Sequence, residues 1–319
     1  AALQQLEAMA LQGRRVLIAL TTGAGGMSLE AFSLLQSLRT HPDCLRGAVG
    51  ALLVDGDGEL YTKQAAQAVA LAANLAGCLF PGKPLVEGTG SLYNQHILAR
   101  QLDLPWEETY FTRARELVGR LAQFTAPRFS RPRVLMLHAS DNRRSNTVAM
   151  GKAVCGHLAP FCEIQTISLQ NGAIYDCRGC SYTACLHFGE RGGCFYGGVM
   201  QEEVYPAVRS ADALLLLCPN YNDALSANLT AAINRLTALY RTAPFTGTAV
   251  FAIVVSGYSG GDIVASQVVS AMNMNKGFWL PANFCLLETA NDAGTAIALP
   301  GIEDRLASFA ETIRSQLMG

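Results

Sequence analysis

The chain reads Val134-Leu-Met-Leu-His-Ala-Ser-Asp-Asn-Arg-Arg-Ser-Asn-Thr147 where its second half begins. The first five residues have the apolar character of a strand that is buried on both faces of a sheet. A polar loop follows, and apolar residues then recur at helical spacing to about Leu158. This order predicts a strand, a loop and a helix, which is the unit from which parallel α/β sheets are built.

The same alternation continues to the C-terminus. Further strands are predicted at residues 163–169, 213–218, 248–255 and 284–287. Helices are predicted at residues 202–210 and 225–240, after a glycine-rich loop that follows residue 255, and at the C-terminus, where Ile302, Leu306, Phe309, Ile313 and Leu317 form one apolar stripe. Five strands that alternate with helices predict a doubly wound parallel sheet in the flavodoxin-like order, with ligands bound at the carboxyl ends of the strands.

Residues 1–125 are predicted to form a second, abbreviated α/β domain. Its strands are expected at residues 16–20, 50–54 and 85–87, and its helices at 29–38 and 64–75. Prolines and arginines at residues 125–133 mark the boundary, so the second domain is expected to span 131–319. Residues 80–85 resemble 245–250, and residues 59–62 resemble 220–223. These short similarities suggest that the first domain is a degenerate copy of the same fold. The alternative is that two α/β domains use similar turn residues by chance.

Composition excludes several classes of protein. Of the 319 residues, 50% are hydrophobic and 15% are charged, which rules out a disordered chain, a collagen-like repeat and a coiled coil. The net charge of −1 argues against binding to nucleic acid. The uncharged segment 242–261 has an apolar part, 249–255, that is too short to span a membrane. The N-terminus lacks a secretory pattern, so a cytoplasmic protein is expected.

Polar loops follow three successive strands of the predicted sheet. The first carries hydroxyl, amide and guanidinium groups at a helix N-terminus, where free backbone N–H groups and the helix dipole favour an anion: Ser140, Arg143, Arg144, Ser145, Asn146 and Thr147. A simple helix cap is the alternative for Ser145 or Asn146. This loop matches neither the dinucleotide fingerprint nor the Walker loop.

The second loop is Cys218-Pro-Asn-Tyr-Asn-Asp223, in which a proline and an aromatic ring could hold a flat ligand. The third is Val255-Ser-Gly-Tyr-Ser-Gly-Gly261, whose glycines allow close approach of the backbone. Each loop alone is also typical of an ordinary turn. Because all three follow strand ends of one sheet, they together predict a ligand site.

Four of the ten cysteines lie close together in the pattern C-x2-C-x4-C-x8-C, at Cys177, Cys180, Cys185 and Cys194. Four thiolates suit an iron–sulfur cluster or zinc. Structural zinc more often uses two C-x2-C pairs, and this pattern has one. Free thiols, or a redox pair of Cys177 and Cys180, remain alternatives. His187 could be a further ligand or proton donor, although a lone histidine is more often structural.

Residues 133–319 resemble the NAD(P)H-dependent FMN reductases of flavodoxin-like fold, and especially the branch called iron–sulfur flavoproteins. The resemblance lies in the first loop, with Ser140 and Ser145-Asn-Thr147, and in Pro219 and Tyr221 before a helix that carries Asn234-Arg235. Gly260-Gly261 and the cysteine-rich insert 177–194 complete it. Ala139 stands where the family has glycine, and the third and fourth cysteines are more widely spaced than in the branch.

The resemblance implies an FMN-dependent oxidoreductase that carries a [4Fe–4S] cluster on Cys177, Cys180, Cys185 and Cys194. It implies that the phosphate is held by Ser140, Arg143, Ser145, Asn146 and Thr147. It further implies that Pro219, Asn220, Tyr221 and Asn222 flank the flavin ring and that Gly257, Tyr258, Gly260 and Gly261 close over it. No catalytic residue is assigned.

The implied partners are a donor, NAD(P)H or ferredoxin, and a small-molecule acceptor, in a homo-oligomer that is a dimer or larger. Residues 1–125 would then serve as a lid or a dimerisation surface, and an unrelated regulatory domain is the alternative. Two other functions remain open. One is a non-catalytic flavin and iron–sulfur electron carrier, and the other is a non-redox module stabilised by zinc.

Overall fold

The computed structural model describes residues 11–23, 25–170 and 174–319. The first ten residues, part of the N-terminal stretch considered as a secretory signal, lie outside the described residues. The chain divides into two compact units. The first comprises residues 11–125 with Leu280–Asn283, and the second comprises Ala126–Trp279 with Phe284–Gly319. No helix in the described parts of the chain is long and apolar enough to cross a membrane.

The first unit contains a parallel sheet of three strands in the order β1-β2-β3. Its elements are β1 (Arg15–Thr22), α1 (Leu29–Thr40), β2 (Val49–Gly56), α2 (Thr62–Leu75), β3 (Leu85–Gly88), α3 (His96–Leu102) and α4 (Trp106–Gln123). Leu280 belongs to this unit, where it pairs antiparallel with Phe80 through two backbone hydrogen bonds of 2.8 and 2.9 Å. The sequence predicted its three strands, α1 and α2, but not α3 or α4.

The second unit contains a parallel sheet of five strands in the order β5-β4-β6-β7-β8. Its elements are β4 (Arg133–His138), α5 (Asn146–Leu158), β5 (Glu163–Ser168), α6 (Tyr182–Glu190), α7 (Tyr205–Ser210), β6 (Ala213–Pro219), α8 (Ala227–Arg235), α9 (Thr237–Tyr240), β7 (Ala249–Ser256), α10 (Gly261–Val268), β8 (Cys285–Thr289) and α11 (Ile302–Met318). The second strand of this unit lies outside the first, and the others follow in sequence. That is the flavodoxin-like order, so the predicted fold is confirmed.

The core of the second unit is built on its two central strands. Every residue of β7 is buried, and β6 is buried from Ala213 to Cys218. Both faces are covered by helices, with α5 and α10 both packed against β7 and α11 packed on α5. A strand with no solvent-facing side must be apolar throughout, which is why these two strands were the clearest in the sequence.

Two helices differ from the prediction. The helix expected at 225–240 is interrupted between α8 and α9, where the Arg235 carbonyl accepts a hydrogen bond of 2.9 Å from the Tyr205 hydroxyl. The helix expected at 202–210 begins as a π-helical segment, Met200–Val204, and continues as α7. Helical spacing alone does not reveal either change, because each depends on neighbouring elements.

Candidate functional site

A cavity of about 590 Å³ opens at the carboxyl ends of the strands of the second unit. This volume lies within the usual range of small-molecule sites. The cavity is lined by Ser140, Asp141, Arg144, Ser145, Asn146, Thr147, Pro219, Asn220, Tyr221, Asn222, Asp223, Val255, Gly257, Tyr258, Ser259, Ala290 and Asn291. These residues come from the loops that follow β4, β6, β7 and β8, so the three predicted loops do surround one site.

The loop after β4 ends in a capped helix. Ser145 is the N-cap of α5, and its hydroxyl accepts a hydrogen bond of 3.3 Å from the Val148 amide. The amides of Asn146 and Thr147 occupy the first turn, where N–H groups have no acceptor within the helix. They and the helix dipole make this end of the cavity attractive to an anion.

Asp141 holds the shape of this loop. Its carboxylate accepts hydrogen bonds from the amides of Arg143 and Arg144, at 2.7 and 3.1 Å. These bonds stabilise the ionised form and lower the pKa of Asp141. Arg144 lines the cavity and Arg143 does not, although both side chains are exposed.

Ser140 offers an unused polar group at the base of the cavity. The residue is 3% exposed, and its hydroxyl has no hydrogen-bond partner among the described residues. The Ser140 carbonyl is 3.1 Å from Nδ1 of buried His138. Burial lowers the pKa of His138. The imidazole is therefore neutral at pH 7, and Nδ1 carries the proton that it donates to the carbonyl.

The Asn146 side chain joins α5 to the loop after β8. Its amide nitrogen donates to the carbonyls of Asp292 at 2.9 Å and Ala290 at 3.4 Å, and its oxygen accepts from the Ala296 amide at 3.3 Å. These bonds use the side chain structurally. What Asn146 offers to the cavity is its backbone N–H rather than its carboxamide.

Asn220 connects the loops after β6 and β7. Its amide nitrogen lies 3.1 Å from the Ser256 hydroxyl, 3.0 Å from the Ser259 carbonyl and 3.2 Å from Asp223 Oδ1. Gly260 completes the arrangement with a φ of +82°, and a Cβ there would collide with the Asp223 carboxylate. Both the left-handed backbone and the close approach therefore require glycine.

Two tyrosines leave aromatic surface at the mouth of the cavity. Tyr221 is 56% exposed and Tyr258 is 83% exposed, although both line the cavity. Pro219 lies at the end of β6, two residues before Tyr221. Such apolar faces can hold a flat ring by stacking.

Most of the predicted residues therefore lie together. Arg143, Gly260 and Gly261 are not among the lining residues, and Gly260 acts on the shape of the loop instead. The cofactor-binding residues implied by the resemblance did not include these lining residues: Asp141, Arg144, Asp223, Val255, Ser259, Ala290 and Asn291. Asn291 follows β8, so the rule that ligands bind at strand ends could have found it. Arg144 could not be chosen over Arg143, because adjacent residues in a turn point in different directions.

A second cavity, of about 430 Å³, is lined by all four clustered cysteines. Its other walls include Phe188, Phe195, Arg178, Arg235 and Arg241. No three His, Cys, Asp or Glu side chains of the described residues converge closely enough to hold a single metal ion. The Tyr196 hydroxyl bonds to Cys180, which raises the pKa of the tyrosine.

The remaining cysteines and His187 lie elsewhere. Cys218 and Cys285 are buried, and burial raises the pKa of Cys285 to about 12, as for an inert core thiol. His187 is on α6, where its Nε2 hydrogen-bonds to Arg191, and it is not among the residues that line the cysteine cavity.

A family model described as NADPH-dependent FMN reductase matches residues 132–292. Among curated proteins, no relative matches the chain.

Several solved structures are similar. RosB with the bound intermediate 8-demethyl-8-formylriboflavin-5'-phosphate is 14% identical, with a TM-score of 0.46 over 58% of this chain and 78% of that one. The apo NADH:FMN oxidoreductase EMOB is 14% identical, with a TM-score of 0.42 over 59% and 91%. The NAD(P)H:quinone oxidoreductase from Methanothermobacter marburgensis is 17% identical, with a TM-score of 0.41 over 58% and 96%.

Proposed function

The chain belongs to the NADPH-dependent FMN reductase family, and we propose that the cavity at the strand ends binds the FMN with which it transfers electrons from NAD(P)H to a small acceptor. The family makes it a flavin-dependent reductase. The observation that carries the proposed site is the convergence of the loops after β4, β6, β7 and β8 on one cavity.

The residues of the cavity fit FMN. At one end, the buried Ser140 hydroxyl without a partner among the described residues, the first turn of α5 and the Arg144 guanidinium can all donate to a phosphate. At the mouth, Pro219, Tyr221 and Tyr258 can pack against a flat ring. A cavity with one anion-binding end and one aromatic end is suited to a mononucleotide.

The flavin would supply the ability to accept a hydride as two electrons and to release them one at a time. The protein positions it. Asp141 holds the phosphate loop, Asn220 ties the two ring-side loops together, and Gly260 lets α10 begin beside Asp223. His138 donates to the Ser140 carbonyl and so orients the residue that offers its hydroxyl to the phosphate.

We also propose that Cys177, Cys180, Cys185 and Cys194 bind a [4Fe–4S] cluster. The lining of the second cavity supports this. All four cysteines line one cavity, and four cysteine thiolates are the ligands that such a cluster takes. Such a cluster takes up one electron at a time, so it would pass on singly what NAD(P)H delivers in pairs. Ferredoxin is the alternative donor.

We further propose that residues 131–319 are the flavin domain, with the insert 177–194 as its cluster-binding part, and that the protein works as a homo-oligomer. Light scattering of the full chain would measure its assembly. A monomeric mass at micromolar concentration would contradict the homo-oligomer and leave the flavin site unaffected.

The flavin site is tested on anaerobically purified full-length protein. Released cofactor should run as FMN on chromatography, and the protein should oxidise NAD(P)H with a quinone or nitro compound as acceptor. Recovery of FAD, or of no flavin after reconstitution, would contradict the proposal. Bound FMN without NAD(P)H oxidation would identify an electron carrier instead of an enzyme.

Two adjacent arginines provide a matched pair of variants for the phosphate end. Arg144→Gln should weaken FMN binding about tenfold or more, because a charge-assisted hydrogen bond contributes roughly 1.5–3 kcal/mol. Arg143→Gln makes the same change of net charge at a residue that does not line the cavity, so it should leave the Kd nearly unchanged. Equal losses in the two variants would show that only general charge matters and would contradict the assigned site.

A further inference from the structure

The cysteine cavity contains a buried cation whose charge is not balanced. Arg235, the last residue of α8, lines the cavity and is 3% exposed. One of its terminal nitrogens, Nη2, donates to the Gly197 carbonyl at 2.8 Å, but its Nε has no hydrogen-bond partner among the described residues. No carboxylate in the described residues lies within ion-pair distance of it.

An unpaired buried guanidinium is costly, because a charge loses its hydration when it is buried. Arginine cannot escape that cost by losing its proton. The Gly197 carbonyl and the end of α8 supply only partial negative charge. An anionic occupant of the cavity would supply the rest, and it would also accept the free N–H of Nε.

Other residues hold Arg235 in place. The Tyr205 hydroxyl donates to its backbone carbonyl at 2.9 Å, and Tyr205 is fully buried. Asn234, the neighbouring residue, donates at 2.9 Å to Asp176, whose carboxylate also accepts from the Cys177 amide at 2.6 Å. The C-terminus of α8 is thereby fixed against both α7 and the segment Asp176-Cys177.

We propose that Arg235 is the counter-ion of the cysteine-bound cluster and donates a hydrogen bond to one of its sulfur atoms. This inference rests on the proposed cluster site. Four thiolates and their cluster carry net negative charge, and reduction adds one more electron. A nearby cation and an N–H···S bond therefore stabilise the reduced form more than the oxidised form, which raises the reduction potential.

The same cavity offers a control for this role. Arg241 also lines it, but that side chain is exposed and lies over the Tyr182 ring, with 4.4 Å from its guanidinium carbon to the ring centroid. Water screens an exposed charge much more effectively than a buried one. Removal of either arginine changes the total charge equally, so any difference between the variants reports the buried position of Arg235.

The experiment is a redox titration of the anaerobic full-length protein, monitored by electron paramagnetic resonance, with iron, sulfide and flavin measured on each sample. At a fixed applied potential, Arg235→Gln should lower the ratio of reduced to oxidised cluster about tenfold or more, a shift of ~59 mV for one electron. Arg235→Lys should give a smaller shift, since it keeps the charge but loses the planar donor. Arg241→Gln should leave the ratio unchanged.

The proposal would also be supported if Arg235→Gln lost the cluster and Arg235→Lys retained it. The cluster would then require a positive charge at this position. Equal potentials in Arg235→Gln and Arg241→Gln would overturn it. Loss of the cluster from both Arg235 variants with FMN still bound would overturn it too, in favour of a purely structural arginine. Wild-type protein with FMN but no iron or sulfide would reject the cluster itself, and this inference with it, without affecting the flavin site.

Discussion

The segment from β2 to β3 in the first unit and the segment from β7 to β8 in the second have the same arrangement. Leu52 pairs with Leu85 in one, and Ala252 pairs with Cys285 in the other. The residue before each final strand also accepts an equivalent hydrogen bond, from the Leu52 amide at 2.7 Å and from the Ala252 amide at 2.9 Å. Equivalent residues of these strands differ by 200 in number.

The turn between helix and strand repeats as well. Gly77 and Gly277 have φ values of +95° and +84°, and Lys83 and Asn283 have values of +56° and +54°. The sequences are Gly77-Cys-Leu-Phe-Pro-Gly-Lys-Pro84 and Gly277-Phe-Trp-Leu-Pro-Ala-Asn-Phe284. A lysine in the left-handed region is uncommon, so its match to an asparagine in the same conformation supports a duplicated segment.

The two units differ at the edge of the sheet. Because β1 pairs with β2 as β6 pairs with β7, β1 corresponds to β6. In the second unit, β6 is followed outwards by β4 and β5, whereas β1 is the edge of the sheet in the described part of the first unit. The strand that leads into the capped helix α5 therefore has no counterpart there. The turn geometry alone does not make a phosphate site.

The largest expected effect is a difference in iron binding between cysteine variants of the two units. Cys180→Ser should abolish iron and sulfide binding and the broad visible absorption of the cluster, because a hydroxyl is a poor substitute for a thiolate ligand. Flavin should remain bound. Cys44→Ser, in the first unit, should keep about four iron and four sulfide per chain, as wild type should. Equal iron content in the two variants, or zinc without sulfide in wild type, would contradict the cluster.

The second prediction compares two asparagines that each tie down the loop after a final strand. Asn146 makes its three bonds in a buried position, whereas Asn94 bonds to Glu87 and Thr89 at the surface. Asn146→Ala should lower the free energy of unfolding by about 3 kcal/mol, at roughly 1 kcal/mol for each lost bond. Asn94→Ala should cost less than about 1 kcal/mol, since water replaces its bonds. Urea unfolding measures both, and equal costs would refute the structural role assigned to Asn146.

The third prediction concerns the N-cap residues of two corresponding helices. Gly260 caps α10 with a φ of +82°, and Tyr61 caps α2 with a φ of +76°. Gly260→Ala should destabilise the protein by about 1–2 kcal/mol through backbone strain, and more through collision with Asp223. It should also weaken FMN binding. Tyr61→Gly relieves the same strain but loses side-chain contacts, so it should change stability by less than about 1 kcal/mol and leave the Kd for FMN unchanged.

The sequence was sufficient for the sheet of the second unit because β6 and β7 are buried on both faces and therefore apolar throughout. The sequence did not predict which strands of the two units correspond. The similarity of residues 80–85 to residues 245–250 matches the start of β3 with the start of β7. The strand registers match β3 with β8 instead. Pro and Gly recur in many turns, so short matches between turns carry little information about register.

Prediction of the site from the sequence was limited in a similar way. The positions of its loops could be predicted, because ligands bind where parallel strands end. The separate roles of neighbouring residues could not, since Arg144 and Arg143, or the side chain and amide of Asn146, differ only in direction. Arg235 was noted as part of a motif, but its lack of a counter-ion depends on burial that involves α8, Gly197 and Tyr205 together.

The smallest expected effect is a pH dependence that belongs to β4, the strand that has no counterpart in the described part of the first unit. Burial lowers the pKa of His138 below its usual value of about 6.5, so between the two values the unfolded chain binds a proton that the folded chain does not. The contribution of neutral His138 to the free energy of unfolding is therefore fully present above pH 6.5. It falls as the pH drops towards the folded pKa, by at most about 1.4 kcal/mol per pH unit.

His138→Asn keeps a donor for the Ser140 carbonyl but cannot titrate, so its unfolding free energy should fall less between pH 6.5 and 5. Urea unfolding across this range measures the slopes, and an unchanged slope in His138→Asn would mean that another group is responsible for the acid sensitivity.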